Sequence, residues 1–270
     1  MKSEFKLCAF FMFICTSGFA FSSQKLTIVT ETLPPYNFEE YGKVTGINIE
    51  ATRYLCKLAN IECEFKIMPW NRAYRLATSE ANVGIVSTSK LPEREDIFHW
   101  VGPLAFGKAC FFKLRNRTDI QIDDEQDLLN YSVGLGKNLA YEGYFNQLGF
   151  TVNQNLFLYN QKFGDLRAFS QGRLDLIVAS VNTLPYQIQE GIVDYEQLEP
   201  VFPLTYSDTF GNFLALHLDT SKDMVDKLQL AAIELHKSGK LKALIKEFQP
   251  KEYANWLEDN LSKSIKETCL

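Results

Sequence analysis

Residues 83–106 read VGIVSTSKLPEREDIFHWVGPLAF and combine an apolar strand with side chains suited to holding an anion. The apolar start of this stretch runs into three hydroxyl residues, Ser87, Thr88 and Ser89. Pro92 then indicates a helix start, because the missing N–H of proline costs nothing at the first helical position. Arg94 follows, and a guanidinium can bind a carboxylate through two parallel hydrogen bonds. We therefore expect this stretch to form one wall of a ligand-binding cleft.

Strand and helix patterns alternate on both sides of this stretch. Upstream, an apolar strand, an amphipathic helix, an alternating strand and a short helix are predicted at residues 26–30, 47–59, 61–67 and 71–78. A second series begins at residues 131–135 and includes the almost entirely apolar strand at 175–180. This alternation predicts an α/β fold with mainly parallel sheets flanked by helices. Ligands bind beyond the carboxyl ends of such strands, which is where Tyr36, Trp70 and the hydroxyl run lie.

The composition sets the size of the protein and excludes some partners. A chain of 270 residues with 46% hydrophobic content can form one large domain or two modest ones. The net charge is -5 and there is no lysine- or arginine-rich run, so a nucleic-acid partner is not expected. His99, His217 and His236 are not spaced like metal ligands, and we expect neither a metal nor a cofactor.

The N-terminus has the pattern of a signal peptide over residues 1–22. A short basic segment precedes an apolar run at residues 7–21, which is too short to span a membrane comfortably. Small residues, Gly18 and Ala20, precede a cleavage point near residues 20–22. The alternative is an uncleaved anchor. The pattern favours an exported, periplasmic protein.

Six cysteines are present, and Cys8 and Cys15 would leave with the signal peptide. Cys56 and Cys63 lie at the corner between a predicted helix and the next strand, where a disulfide can form in an oxidising compartment. Cys110 lies in an apolar strand, where a buried free thiol is the simplest expectation. Cys269 lies in the C-terminal tail.

Several short motifs follow one another in a recognisable order. They are PPY-F at 34–38, G-I-x-x-E at 46–50, the Cys-x6-Cys corner, STSKLPER at 87–94, VGLGKN at 133–138, GRLD at 172–175 and SGKLKALIKEF at 238–248. Their order and spacing over about residues 25–249 resemble the family 3 periplasmic solute-binding proteins, the polar amino-acid receptors of ABC importers. The spacing of Cys56 and Cys63 is similar to that of the lysine/arginine/ornithine and histidine receptors of this family, which supports the disulfide.

The resemblance implies a monomer with two α/β lobes, joined by two crossing strands and closing on a ligand between them. Lobe 1 would comprise residues 24–112 and 211–250, and lobe 2 residues 113–210. Independently of the resemblance, residues 111–117 pass from an apolar strand into a polar segment, which predicts a domain crossing near residues 113–117. Residues 251–270 form a polar tail with a helical pattern.

The resemblance also implies ligand contacts in lobe 1. Arg94 matches the carboxylate-binding arginine of the family, although a surface ion pair at a helix start is the alternative. Ser87 and Ser89 match hydroxyl positions that bond the ligand, or they cap the strand end. Trp70 matches an aromatic residue that stacks on the ligand, or it closes the core. Tyr36 is either a second aromatic wall or ordinary packing.

Arg72, two residues past Trp70, points either at the cleft or at solvent. In lobe 2, Lys137 and Asn138 stand near the family's Gly-Ser/Thr pair at a helix N-terminus, but Leu139 cannot supply the hydroxyl. Lys137 either adds positive charge to the cleft or is solvated.

Two further positions depart from the family pattern. Leu91 replaces a helix-capping threonine. Ser180 stands where amino-acid receptors carry the carboxylate that pairs with the ligand ammonium, and a neutral serine cannot neutralise that charge. Glu31 is a candidate replacement from the other lobe, whereas Asp175 is expected to be structural. A carboxylate, peptide-like or other anionic ligand therefore becomes competitive with an amino acid.

Three classes of function follow from these observations. The first is a receptor that captures a small polar or anionic solute and delivers it to an ABC permease. The second is a receptor that feeds a membrane sensor. The third is a dehydratase-type enzyme, for which Glu31 is the one acid–base candidate that the sequence suggests. We expect binding rather than catalysis.

Overall fold

A computed structural model describes residues 25–106, 109–136, 142–161, 163–180, 182–188, 191–204 and 211–260. The expected signal peptide lies outside these residues, and so do Lys137, Asn138 and Leu139. Within them, no helix is long and apolar enough to cross a membrane.

The described part of the chain contains twelve β-strands and eight α-helices. The strands are β1 (Lys25–Thr30), β2 (Phe38–Glu40), β3 (Lys43–Thr45), β4 (Glu62–Ile67), β5 (Val83–Thr88), β6 (His99–Phe106), β7 (Ala109–Leu114), β8 (Val133–Gly136), β9 (Leu156–Tyr159), β10 (Leu176–Ser180), β11 (Leu198–Leu204) and β12 (Gly211–Leu216). The helices are α1 (Ile47–Ala59), α2 (Trp70–Ser79), α3 (Glu142–Leu148), α4 (Gly164–Ser170), α5 (Leu184–Ile188), α6 (Lys222–Lys237), α7 (Lys240–Phe248) and α8 (Lys251–Asn260). Pro92–Ile97 forms a 3-10 helix, with the proline at its start.

The strands form two five-stranded sheets, which define two lobes. The sheet of lobe 1 has the order β4-β1-β5-β12-β6, and the sheet of lobe 2 has the order β11-β7-β10-β8-β9. In each sheet three neighbouring strands are parallel, the next strand (β12 in lobe 1, β7 in lobe 2) is antiparallel to them, and the last strand (β6 or β11) pairs antiparallel with that one. Helices cover both faces: α1, α6 and α7 share one core of lobe 1, and α2 packs on the other face. The expected two-lobed α/β fold with mainly parallel sheets is confirmed.

The first crossing between the lobes lies earlier than expected. Strand β7 pairs with β10 and β11 of lobe 2 along its length, so residues 109–112 belong to lobe 2 and the crossing lies between Phe106 and Ala109, not near residues 113–117. An apolar strand has the same pattern in either sheet, because both of its faces are buried in each case. The second crossing joins β11 to β12.

The C-terminal helices divide between the lobes. Leu241 and Leu244 of α7 are buried in the core of lobe 1, whereas Tyr253 and Trp256 of α8 are buried in the core of lobe 2. The described part of the C-terminal tail is therefore a helix docked on lobe 2.

The disulfide between Cys56 and Cys63 is confirmed. It joins the end of α1 to β4, the strand at one edge of the lobe 1 sheet. Cys110 is fully buried, as expected, but it is disulfide-bonded, so the expectation of a free thiol there is wrong. The bonded partner of Cys110 lies outside the described residues.

The loop before α1 is held against the start of this helix. No side chain caps α1, and the N–H groups of Ile47 and Asn48 donate instead to the carbonyl oxygens of Pro35 and Tyr36, each over 2.9 Å. These bonds satisfy helix donors that would otherwise lack partners. Gly46 makes this approach possible: its φ is +122°, and a Cβ there would lie 2.5 Å from the carbonyl oxygen of Tyr36.

The Gly46→Ala variant should therefore lose about 4 kcal/mol of unfolding free energy, from backbone strain together with overpacking. The matched control is Gly42→Ala, since Gly42 also has a positive φ of +74° but has nothing within 4 Å of the added Cβ. The control should lose about 1 kcal/mol. Urea denaturation measures both, and equal losses would show that the contact with Tyr36 is unimportant.

Asp175 orders the start of β10, the strand that ends at Ser180. Its carboxylate accepts hydrogen bonds from the backbone N–H of Ser132 (2.9 Å), the Ser132 hydroxyl (2.6 Å) and the Arg117 guanidinium (2.9 Å). Burial alone would raise the pKa of Asp175, but the bonds from Ser132 and Arg117 outweigh it and hold the pKa below its usual value.

Asp175→Asn should cost about 2 kcal/mol near pH 7, because the amide cannot accept all of these bonds. A depressed folded-state pKa stabilises the protein above the unfolded-state pKa of about 4. The difference between the wild type and this variant should therefore shrink as the pH falls from about 4 through the folded-state pKa. Asp119→Asn is the control, because it removes a bond to the same arginine at an exposed position and should lose less. Denaturation curves at several pH values test this, and a pH-independent difference would contradict it.

Candidate functional site

The two lobes present the same kind of edge to each other. Strands β4, β1 and β5 are parallel, so their carboxyl ends lie together, and β8, β9 and β10 form the equivalent edge of lobe 2. The edges meet where the Tyr36 hydroxyl, in the loop after β1, lies 3.4 Å from the Ser180 hydroxyl at the end of β10. The cleft between the lobes therefore runs along the carboxyl ends of both sheets, where α/β proteins bind ligands.

Tyr36 is the best-defined contact across this cleft. The residue is only 3% exposed, and its hydroxyl interacts with Asn182 as well as with Ser180. Burial raises the pKa of Tyr36, and the hydrogen bonds to these two residues only partly offset that effect. The contact is thus made between neutral groups.

A second contact between the lobes is aromatic. The ring centroid of Phe38 lies 6.4 Å from that of Tyr186 in α5 and 6.0 Å from that of Phe248 at the end of α7. The Tyr186 hydroxyl donates to the Phe248 carbonyl oxygen over 2.5 Å. Lobe 2 is therefore held to lobe 1 near the point where α7 ends.

A cation lies on an aromatic surface in lobe 1. The Arg94 guanidinium carbon is 5.8 Å from the ring centroid of Trp70 and 5.5 Å from that of Tyr74. Both rings belong to α2, which begins directly after the loop that follows β4. Within the described residues this guanidinium has no ion pair and no hydrogen-bond partner, so the surface-ion-pair alternative finds no support there.

The aromatic surface is backed by a row of rings that continues into the lobe. Successive centroids lie between 5.6 and 5.9 Å apart. The row consists of Trp70, Tyr74, Phe98, Trp100 and Phe213. The Trp70–Tyr74 pair beneath Arg94 is tilted by 37°, and the other three contacts are edge-to-face, a geometry that stabilises aromatic pairs.

Ser87 belongs to a separate buried polar cluster in lobe 1. Its backbone is left-handed, with φ +64°, and its hydroxyl donates to the side-chain oxygen of Asn37. The same hydroxyl accepts from the Asn48 amide over 2.8 Å. Asn37 and Asn48 are both completely buried. Ser87 therefore keeps only acceptor capacity for a ligand, because its hydrogen is already used.

Glu31 follows β1 on the same edge. Its side chain is partly buried, and desolvation raises the pKa of its carboxyl group. Within the part of the chain that the structure describes, this carboxylate forms no ion pair. A desolvated carboxylate without a partner is costly, so a cationic or hydrogen-bond-donating group would be stabilised beside it.

The remaining predicted residues are less informative. Ser89 is partly buried in the loop after β5, and Leu91 is buried before the 3-10 helix without capping it. Arg72 is exposed on α2, where no hydrogen bond or ion pair of its side chain is found among the described residues. No cluster of metal-ligating side chains occurs in the described ranges.

The sequence matches a known protein family across most of its length. The model of the bacterial extracellular solute-binding proteins, family 3, matches residues 26–251. This chain belongs to that family. A curated relative, the probable amino-acid-binding protein YxeM of Bacillus subtilis (strain 168), is 24% identical over 224 residues, which are 79% of each chain.

Solved structures with the same fold include receptors of different kinds. A histidine kinase sensor domain that resembles periplasmic binding proteins has a TM-score of 0.65 and 20% identity, covering 84% of this chain and 96% of that one. An ancestral arginine-binding protein bound to arginine has a TM-score of 0.62 and 17% identity, covering 84% and 98%. At these identities the likeness establishes the fold of a family 3 solute-binding protein and does not identify the ligand.

Three residues of this family 3 cleft were missed by the sequence analysis. Tyr74 lies one helical turn after Trp70, a spacing that places both rings on one helix face and could have been recognised. Asn48 and Asn182 carry no local signal, because each reaches the site through contacts with residues distant in sequence.

Removing the hydroxyl of Tyr36 should open the unliganded protein. In Tyr36→Phe the ring still packs, but the neutral contact with Ser180 and Asn182 is lost, at a cost of about 1 kcal/mol. Small-angle X-ray scattering should show a larger radius of gyration than in the wild type. Tyr41→Phe is the control, since Tyr41 is fully exposed. Identical scattering from the wild type and Tyr36→Phe would show that this contact does not hold the lobes.

Proposed function

We propose that this protein is a periplasmic receptor that captures a small polar solute with a negatively charged group, closes around it, and delivers it to an ABC importer. Membership of family 3 supports the receptor role. The observation that carries the ligand class is the Arg94 guanidinium, held on Trp70 and Tyr74 without an anionic partner in the described residues. Its flat donor group suits a carboxylate.

The residues around Arg94 supply the other ligand contacts that we propose for lobe 1. Trp70 and Tyr74 supply flat apolar surface for the body of the ligand, and Ser87 and Ser89 supply polar contacts beside it. Arg72 is exposed on α2, and among the described residues no cation–π contact joins it to either ring. We keep it as an outer contact.

The lobe 2 side of the cleft favours a ligand without a cationic group at Ser180. The hydroxyls of Ser180 and Tyr36 are neutral, and a buried ammonium beside them would lack a counter-charge. Glu31 offers a carboxylate from lobe 1 to an ammonium placed elsewhere on the ligand. Lys137 and Asn138 follow β8 in the sequence. In this proposal they supply a positive charge and a side-chain amide to the ligand from lobe 2. An amino acid bound in this way, or a related carboxylate, fits this combination.

Closure follows from the energetics of the charged wall. Bringing lobe 2 over an unpaired guanidinium removes water from it, which is unfavourable. A bound carboxylate neutralises the guanidinium and adds contacts to both lobes, so the ligand shifts the equilibrium towards the closed form.

The test is calorimetry of the wild type against a panel of organic acids, amino acids and polyamines. Mass spectrometry of small molecules released from the native protein narrows the panel. Arg94→Gln should bind the best ligand about 10- to 100-fold more weakly, because charge-assisted hydrogen bonds are lost. Arg75→Gln is the matched control, since it removes the same charge from an exposed position on α2.

Binding by Arg94→Gln that equals binding by the wild type would contradict the role of the guanidinium. A panel in which only polyamines bind would contradict the ligand class. No binding by any solute would contradict the receptor function as a whole.

A receptor that feeds a membrane sensor is the second candidate, favoured by the similarity of the fold to a histidine kinase sensor domain. Permease genes beside the reading frame would favour transport, whereas a neighbouring histidine kinase or cyclase gene would favour sensing. Both versions involve binding without turnover, and recovery of an altered ligand after incubation would instead indicate an enzyme that uses Glu31.

A further inference from the structure

A cavity of about 510 Å³ lies on lobe 2, outside the cleft. It is formed between α5, the 3-10 helix Tyr195–Gln197 and the start of α8. None of the cleft residues named above is among the described residues that line it. Its volume falls within the range of about 300–1,000 Å³ that is typical of small-molecule sites. The cavity is therefore a candidate site separate from the cleft.

Part of the cavity wall is apolar and aromatic. Pro185 and Ile188 of α5 contribute to it, together with Tyr195 and Tyr253. The two tyrosine rings meet edge to face, with centroids 5.6 Å apart. The ring centroid of Trp256 lies 5.6 Å from that of Tyr253 and 5.5 Å from that of Tyr195. A wall of this kind suits the hydrocarbon part of a ligand, and aromatic faces also attract cations.

The rim of the cavity is acidic. Asp194 and Glu252 are exposed and line it, and neither forms an ion pair within the described residues. The Asp194 carboxylate accepts the N–H of Glu196 over 3.2 Å, which caps the 3-10 helix and leaves the negative charge in place. No lysine or arginine is among the described residues of the lining. A cation can therefore approach the rim without meeting a like charge in the lining.

The pKa of Tyr195 indicates the sign of the local potential. It is raised by desolvation and then by the negative charges of Glu196, Glu252 and Asp194. The Arg115 guanidinium donates to the carbonyl oxygen of Glu196 over 3.1 Å and lines a neighbouring cavity instead. The potential at the tyrosine ring thus favours a cation over an anion.

The hydroxyl of Tyr253 lacks a partner. Tyr253 is only 1% exposed, and no hydrogen bond of its hydroxyl is found within the described ranges. The hydroxyls of Tyr36 and Tyr186, by contrast, contact Ser180 and the Phe248 carbonyl oxygen. A buried hydroxyl without a partner is unfavourable, so a polar group that reaches it from the cavity is stabilised.

We propose that this cavity is a second binding site, which takes a small organic cation that also carries a hydroxyl or similar polar group. The cation lies against the Tyr195 ring between the carboxylates of Asp194 and Glu252, and the polar group bonds the Tyr253 hydroxyl. An anion is repelled by the same carboxylates, and a purely apolar ligand leaves the hydroxyl unpaired. The proposal goes beyond the receptor function and does not depend on which solute the cleft binds.

Choline is the probe, because it combines a quaternary ammonium with one hydroxyl. Calorimetric titration of the wild type at millimolar concentrations should show binding. The neutral isostere 3,3-dimethyl-1-butanol should bind at least about tenfold more weakly, because its attraction to the aromatic face and the carboxylates is lost. No binding of choline, or equal binding of the two compounds, would overturn the proposal.

Glu252→Gln locates the bound choline. It should weaken binding about fivefold, because one of the two rim charges is removed. Glu247→Gln is the matched control, since it removes the same charge from an exposed position on α7 and should bind choline like the wild type. Arg94→Gln should also bind choline normally, so this test is independent of the ligand proposed for the cleft. Binding that is lost in Arg94→Gln and kept in Glu252→Gln would place choline in the cleft and overturn the proposal.

Tyr253→Phe tests the unpaired hydroxyl. The variant should be as stable as the wild type or more stable in thermal denaturation, because it buries no unpaired polar group. It should nevertheless bind choline about three- to tenfold more weakly, because the hydrogen bond to the ligand is lost. Choline binding equal to that of the wild type, or a lower melting temperature without choline, would contradict the role of this hydroxyl.

Discussion

The parallel pairing of β1 with β4 and β5 determines where the polar groups of lobe 1 lie. Parallel strands end at the same edge of a sheet, so the loops that follow them are brought together although they are far apart in the chain. Tyr36, Trp70 and Ser87 reach one surface for this reason. Lobe 2 repeats the arrangement with β8, β9 and β10, and the site exists because the two edges face each other.

The groups on these edges differ in charge, and the proposed function attributes the selectivity of the cleft to this difference. The contact of Tyr36 with Ser180 between the lobes is made by neutral groups. Arg94 is cationic and rests on rings that cannot neutralise it. A solute that brings a negative charge to Arg94 completes the cleft electrostatically, whereas a neutral solute leaves a desolvated cation behind. In the proposed receptor, binding and closure are linked through this one side chain.

The connections between the lobes bear on the same equilibrium. The chain passes from lobe 1 to lobe 2 after β6 and returns after β11, the Phe38–Tyr186–Phe248 contact packs beside the end of α7, and α8 continues from lobe 1 onto lobe 2. A chain that crosses three times restricts the relative motion of the lobes more than two crossings do. The aromatic row behind Arg94 is closely packed, with edge-to-face contacts of 5.7 Å between Tyr74 and Phe98 and 5.6 Å between Phe98 and Trp100.

Individual elements show which features of the fold can be predicted from local sequence patterns. The strand that begins at Val83, the helices at 224–236 and 240–248 and the Cys56–Cys63 corner were all recognisable, because hydrophobic periodicity and helix-to-strand corners are local features. The first crossing was misplaced because a strand buried on both faces reads alike in either sheet. Cys110 was misread for a related reason, since nothing beside it in the chain reports its distant partner.

The sequence by itself determined the α/β class, the family and most candidate residues of lobe 1, including Arg94, because these depend on local spacing and on the order of motifs. The tertiary structure decided which of those residues meet. It placed Arg94 on Trp70 and Tyr74, used the hydroxyl hydrogen of Ser87 within the protein, and joined Tyr36 to Ser180. These contacts link residues up to 144 positions apart, and such pairings are set by sheet order and lobe packing, which no local pattern encodes.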